Sequence, residues 1–272
     1  MRLQIGAGLI GIAAFGMGAP AMAQPGYVAM GSSYAAGPNI GQSADTPPDR
    51  CGRSAVNYAH LVAAARHYDL TDVTCSGATT RHILGPWDAL PAQIDAVRRD
   101  TALVTITIGG NDLGYMTAIG ALRCARDGAA RTCPPMPVVS AEAQAGLHAR
   151  MAAIVQQIHD RAPAARILIV PYFALMPAAG TCPAAGLPAA DVAQVRAIGV
   201  ALTRLTREVA REGGAEVVPL DRVSAPHALC SAHPWMNGAS PDMAAHDGVP
   251  WHPTAAGMAG AAEAILRQLD RR

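Results

Sequence analysis

The sequence predicts an α/β fold, a parallel sheet with helices packed on both of its faces. Three observations carry that prediction. Short apolar, β-branched runs alternate with longer segments of 3.6-residue periodicity, and such alternation builds parallel sheets covered on both sides. Several of the short runs stop at glycine, as strands entering tight turns do. No internal repeat or low-complexity linker divides the chain, and 272 residues that are 51% hydrophobic suffice for one sizeable core.

The elements follow in order. Residues 27–30 (YVAM) are a first strand, ending at Gly31. Residues 52–68 are helical, with Ala55, Tyr58, Ala59, Val62 and Ala63 near one face. A short second strand covers 72–75. The run 103–108 (LVTITI) is β-branched and closed by Gly109-Gly110, a strong strand signal. A helix spans 141–160, a fourth strand 166–171 (RILIVP), and a long helix 189–212 stops at Gly213-Gly214. Residues 216–220 give the fifth strand. The closing helix covers 254–269, with Thr254 as N-cap. Between these elements, 37–50, 123–140, 174–188 and 222–250 are rich in proline and glycine and too long for plain connections. They hold most of the cysteines and are expected to be pinned loops framing a pocket.

Composition excludes several chemistries. All 21 basic residues are arginine, so lysine Schiff bases, Ser–Lys dyads and a P-loop lysine are absent. Formal net charge is +1, and the arginines are scattered apart from Arg98-Arg99 and Arg271-Arg272. A nucleic-acid binder needs a basic patch or stripe, so no nucleic-acid partner is expected. The first residues read as a secretory leader: Arg2, an uncharged and mostly apolar stretch 3–18, then Ala21-Met22-Ala23 as an A-x-A cleavage site. Residues 1–23 are therefore expected to be a signal peptide and 24–272 the exported domain, periplasmic or extracellular, with no stable membrane insertion after cleavage. An uncleaved anchor is the rival reading, since 3–23 is nearly long enough to span a bilayer. Six cysteines in an exported chain point to three disulfides. Sequential pairing is the simplest of many connectivities, and spacing alone does not choose. The chain has no C-x2-C, H-x-x-x-H or H-E-x-x-H spacing, so no metal site is expected.

In parallel α/β sheets functional groups gather beyond the carboxyl ends of the strands. Three segments directly follow a strand: Gly31-Ser32-Ser33-Tyr34, Ser76-Gly77-Ala78-Thr79 and Gly109-Gly110-Asn111-Asp112. A fourth, Trp251-His252-Pro253-Thr254, leads into the last helix. Alone, each reads as a turn or a cap. Together they supply what acyl transfer needs. A serine hydroxyl requires a base, which an imidazole provides. The tetrahedral intermediate requires convergent N–H donors, which glycine turns and an asparagine amide provide.

These four blocks, in this order, resemble the SGNH (GDSL-type) hydrolases. Gly31-Ser32-Ser33 matches the family's G-D-S block, Gly77 its second-block glycine, Gly109-Gly110-Asn111-Asp112 its G-x-N-D block, and His252-Pro253 the end of its D-x-x-H-P block. The resemblance runs from Tyr27 to about Gly260. It implies a three-layer, flavodoxin-like α/β/α sandwich with a five-stranded parallel sheet. It also implies Ser33 as nucleophile and His252 as general base, then general acid. The Ser33 N–H, the Gly77 N–H and the Asn111 side-chain amide would form the oxyanion hole. The cysteines resemble those of a secreted actinobacterial esterase and lipase branch, which implies the pairs Cys51–Cys75, Cys124–Cys133 and Cys182–Cys230. The implied activity is hydrolysis of small-molecule or lipid acyl esters, without a cofactor. Acyl transfer or polysaccharide deacetylation could use the same site; a non-catalytic binding module with this fold is the alternative of another class.

Two positions depart from the family pattern. Ser32 stands where the family has aspartate. Val249 stands where the family's triad acid precedes the histidine, and the nearest carboxylate, Asp247, lies beyond a Pro-Trp insertion. Either Asp247 reaches the second nitrogen of His252, or a backbone carbonyl of this loop orients the ring. Asp112 is expected to brace its loop.

Overall fold

The computed structural model describes residues 23–127 and 133–271. The leader assigned to 1–23 lies, apart from Ala23, outside the described residues. The chain builds a five-stranded, wholly parallel sheet. Its strands are β1 (Gly26–Gly31), β2 (Asp69–Asp72), β3 (Thr101–Thr107), β4 (Arg166–Ile169) and β5 (Glu216–Val217), in the order β2-β1-β3-β4-β5. The helices are α1 (Ser33–Ala36), α2 (Tyr58–Arg66), α3 (Thr80–Leu84), α4 (Tyr115–Asp127), α5 (Ala141–Arg161), α6 (Ala189–Gly213), α7 (Leu220–Val223) and α8 (Ala255–Leu269).

Helix α8 packs against α2 and α7, while α5 packs against α3 and α6, and α6 against α4. These two groups cover the two faces, giving the α/β/α sandwich. Strand β3 is buried almost throughout, as a strand covered on both faces must be. Its buried threonine hydroxyls find partners from flanking tyrosines: Tyr27 with Thr105 at 2.8 Å, and Tyr58 with Thr107 at 2.9 Å.

Several boundaries move for identifiable reasons. The helix expected over 52–68 begins at Tyr58, because the Asn57 side chain caps it by accepting from the Ala59 and His60 N–H groups. The second strand pairs over Asp69–Asp72 rather than 72–75. Residues 73–75 still run beside β1, with Val73 N–H donating to Ala29 O and Cys75 N–H to Gly31 O. The fifth strand stops at Val217, and the chain passes Pro219 into α7. Thr254 caps α8 as expected, its hydroxyl accepting from Gly257 N–H at 3.1 Å. All three disulfides join the expected pairs.

The strand order reverses direction at β1: the chain moves outward to β2, then returns past β1 to β3, β4 and β5. Ser33 follows β1 and Asn111 follows β3, so both sit at the crevice where such folds bind ligands.

Candidate active site

The end of β1 is pinned before Ser33 begins α1. Gly31 has φ +147, and a Cβ there would stand 2.5 Å from Thr107 O, so only glycine lets β1 turn this close to β3. The buried Gln93 amide pairs with both backbone groups of Gly31, accepting from its N–H at 2.8 Å and donating to its carbonyl at 3.0 Å. Ser32 N–H donates to Thr107 O at 3.0 Å. Ser33 is 7% exposed, and its Oγ lies 2.8 Å from His252 Nε2.

The second ring nitrogen decides the chemistry. His252 Nδ1 lies 2.8 Å from Pro250 O, and a carbonyl can only accept, so Nδ1 carries a proton. In the neutral ring, Nε2 is then the acceptor facing the Ser33 hydroxyl. Burial lowers the pKa of His252, and the Pro250 hydrogen bond partly opposes that shift. A ring held neutral beside a hydroxyl is a competent base.

Asp247 does not reach His252, which corrects one of the two expectations for that position. Its Oδ1 instead accepts from the N–H of Ala255, the first residue of α8, at 2.6 Å. The unpaired N–H groups and positive end of the helix draw the carboxylate there. Gly248 and Trp251 both adopt left-handed backbone, with φ +103 and +55, and this turn brings the Pro250 carbonyl to the ring.

The turn carrying Gly77 is fastened to β1 through Cys75. Cys75 N–H donates to Gly31 O, Ser76 N–H to Cys51 O, and the Cys51–Cys75 disulfide joins the two segments. Gly77 has φ +86, with the Trp87 ring 3.2 Å from where a Cβ would sit. Trp87 is itself stacked between His82, 4.0 Å away, and Arg50, 3.6 Å away. Asn111 donates one amide N–H to Ala78 O at 2.8 Å, which joins its loop to that of Gly77 and leaves its second N–H available. Among the described residues, the N–H groups of Ser33 and Gly77 donate to no protein acceptor. Asp112 braces the loop as expected: its carboxylate accepts from the Thr80 N–H and hydroxyl and from Arg150.

Three residues escaped the sequence reading. Gln93 is one. Tyr172 is the second: its hydroxyl accepts from Gly110 N–H at 3.1 Å and meets Ser32 Oγ at 2.9 Å. Ser32 is thus linked through a phenol to the Asn111 loop. Tyr34 is the third, with its hydroxyl 2.6 Å from Trp251 O. Gln93 and Tyr172 lie in none of the four blocks; Tyr34 closes the first of them, but nothing in the sequence marks its contact with Trp251. A cavity of about 350 Å³ lies behind Tyr172, lined also by Tyr115, Phe173, Met176 and Val200. Another of about 400 Å³ lies beside Trp87 and Gln93. Neither is lined by Ser33 or His252.

Known proteins resemble this chain in sequence and fold. Lipase 2 of Streptomyces coelicolor is 34% identical over 252 residues, covering 88% of this chain and 84% of that protein. The crystal structure of an extracellular lipase from Streptomyces rimosus superposes with a TM-score of 0.72 at 29% identity, covering 90% of this chain and 99% of that one. Phospholipase A1 from Streptomyces albidoflavus gives a TM-score of 0.73 at 26% identity, with the same coverage. Residues 29–259 match the profile of the GDSL-like lipase/acylhydrolase family. The chain therefore belongs to the GDSL-like lipase/acylhydrolase family and is a carboxylic ester hydrolase.

Proposed function

We propose that this chain hydrolyses acyl esters through a covalent acyl-serine. Ser33 Oγ attacks the ester carbonyl carbon while its proton passes to His252 Nε2. The carbonyl oxygen becomes an oxyanion, received by the Ser33 N–H, the Gly77 N–H and the free N–H of Asn111. His252 then gives the proton to the departing alcohol, leaving Ser33 acylated. Water repeats the sequence with His252 again as base, releasing the acid and restoring the hydroxyl. The Pro250 carbonyl holds the ring in the required tautomer and stabilises the imidazolium less than a carboxylate would. The 2.8 Å contact of Ser33 with a histidine whose other nitrogen is already committed carries this reading.

Lipid acyl esters are the substrates we favour, because the relatives are named lipase and phospholipase A1. Export is part of the same proposal. The leader-like first residues, the three disulfides and the likeness to a lipase described as extracellular support it. Among the described residues no helix is long and apolar enough to cross a membrane.

Hydrolysis of a p-nitrophenyl ester series tests the chemistry. Ser33→Ala and His252→Ala should each lower kcat by about 10⁴-fold or more. Near-normal turnover in either variant overturns the proposal.

A further inference from the structure

Tyr34 follows the nucleophile directly and stands between the two segments that build the site. It is 1% exposed. Its ring lies 4.9 Å from the His252 ring and 4.6 Å from Tyr172, and its hydroxyl donates to the Trp251 carbonyl at 2.6 Å. Trp251 holds φ +55, a conformation that a bulky residue rarely keeps without outside support. Trp251 Cα is also the hinge between two rigid peptide planes. One plane carries the Pro250 carbonyl, which accepts from His252 Nδ1. The other carries the Trp251 carbonyl, which accepts from Tyr34. Fixing the second plane therefore constrains where the first can point.

We propose that Tyr34 is a positioning residue for His252: its hydroxyl holds the Trp251 carbonyl so that the adjoining Pro250 carbonyl stays on Nδ1. In this way a phenol on α1 does, through the backbone, part of what a triad carboxylate does directly. The inference rests on the reading of His252 as general base. Burial pushes the Tyr34 pKa well above the ordinary phenol value, so the hydroxyl keeps its proton and donates across the working pH range. The groups that face His252 come from α1 and from its own loop. Ser33 and Tyr34 face it from α1, and the Tyr172 phenol behind Tyr34 is itself pushed up to about 12. On the histidine's own loop Asp247 is engaged with Ala255, and Arg123 of α4 lies over the Trp251 ring. Among the described residues His252 makes no ion pair.

The test is Tyr34→Phe, which removes one oxygen and keeps the ring. kcat, KM and the pH dependence of kcat are compared with wild type on a p-nitrophenyl ester, with thermal unfolding as a check on folding. The expected result is a fall in kcat of about tenfold with KM unchanged, the loss of one productive hydrogen bond. The acid limb should also move to lower pH. The Pro250 hydrogen bond raises the His252 pKa, so weakening it lets the ring lose its proton earlier. An unchanged kcat overturns the proposal. So does a lowered kcat with an unmoved acid limb, which would assign Tyr34 to packing alone. Should Tyr34→Phe fail to fold, the comparison is made in a Trp251→Gly background, where glycine holds the left-handed φ without strain; Tyr34→Phe should still move the limb to lower pH there, and an unmoved limb overturns the proposal. Wild-type protein lacking Ser33-dependent hydrolysis would instead defeat the functional reading, which keeps the two failures apart.

Discussion

Ser33 and His252 meet at 2.8 Å, yet the segments that deliver them are held by different means. Ser33 comes off the end of β1, with Gly31 and Ser32 bonded to Gln93 and to the end of β3. Gly77 and Asn111 leave the sheet nearby and are joined to each other through Ala78. That half is set by the ladder of the sheet itself. His252 comes instead from a loop, and its support is assembled one contact at a time. Asp247 fastens the loop to the start of α8, and Asn237 donates to the Asp247 carbonyl at 2.6 Å. Tyr34 and the Pro250 carbonyl do the rest. The sheet thus positions the segments of Ser33, Gly77 and Asn111, whereas a histidine brought in by a loop needs its own set of anchors. On this loop it is the Pro250 carbonyl that faces His252 Nδ1, while the Asp247 carboxylate is held at the start of α8.

Substitutions on the two sides should separate them. Asn111→Ala, on the strand-end side, removes a donor from the developing oxyanion and should lower kcat by about 10²–10³-fold with little change in KM. Steady-state kinetics on a soluble ester reads both values, and an unaffected kcat removes Asn111 from the oxyanion hole. Asp247→Asn, on the loop side, should have the smallest effect. Asparagine can still accept from Ala255 N–H, so kcat should fall less than about tenfold, whereas loss of a true triad acid costs about 10⁴-fold. Thermal unfolding of the same variant should reveal a cost of about 0.3–1 kcal/mol, the value of a carboxylate at a helix N-terminus. A large kinetic loss at unchanged stability would restore Asp247 to the triad.

The strand-end half was legible in the sequence because its signals are local. A β-branched run closed by Gly109-Gly110 marks both a strand and the turn that follows it, and Gly31 marks a close approach that a larger residue would block. His252 was legible as a residue type before a helix. Its orienting partner was not, because residue spacing cannot tell which carbonyl a left-handed Trp251 will turn toward the ring. Asp247 drew attention by its charge, although the N–H groups of α8 had the better claim on it. Gln93, Tyr34 and Tyr172 act through contacts over 62, 217 and 140 residues of chain, and no periodicity reports those. Helix α4 was missed for another reason: its second half runs into a stretch whose proline and glycine content reads as loop.

The pairing of Ser33 with a neutral His252 is tested most directly by the rate at which a fluorophosphonate modifies Ser33, followed against pH in wild type and in His252→Ala. Burial disfavours the imidazolium, so Nε2 should stay free to lower pH than in an ordinary histidine. The expected result is modification at Ser33 alone, with a rate that rises along a single titration centred below about 6.5 and is lost in His252→Ala. Modification at another residue, or equal rates with and without the imidazole, would contradict it.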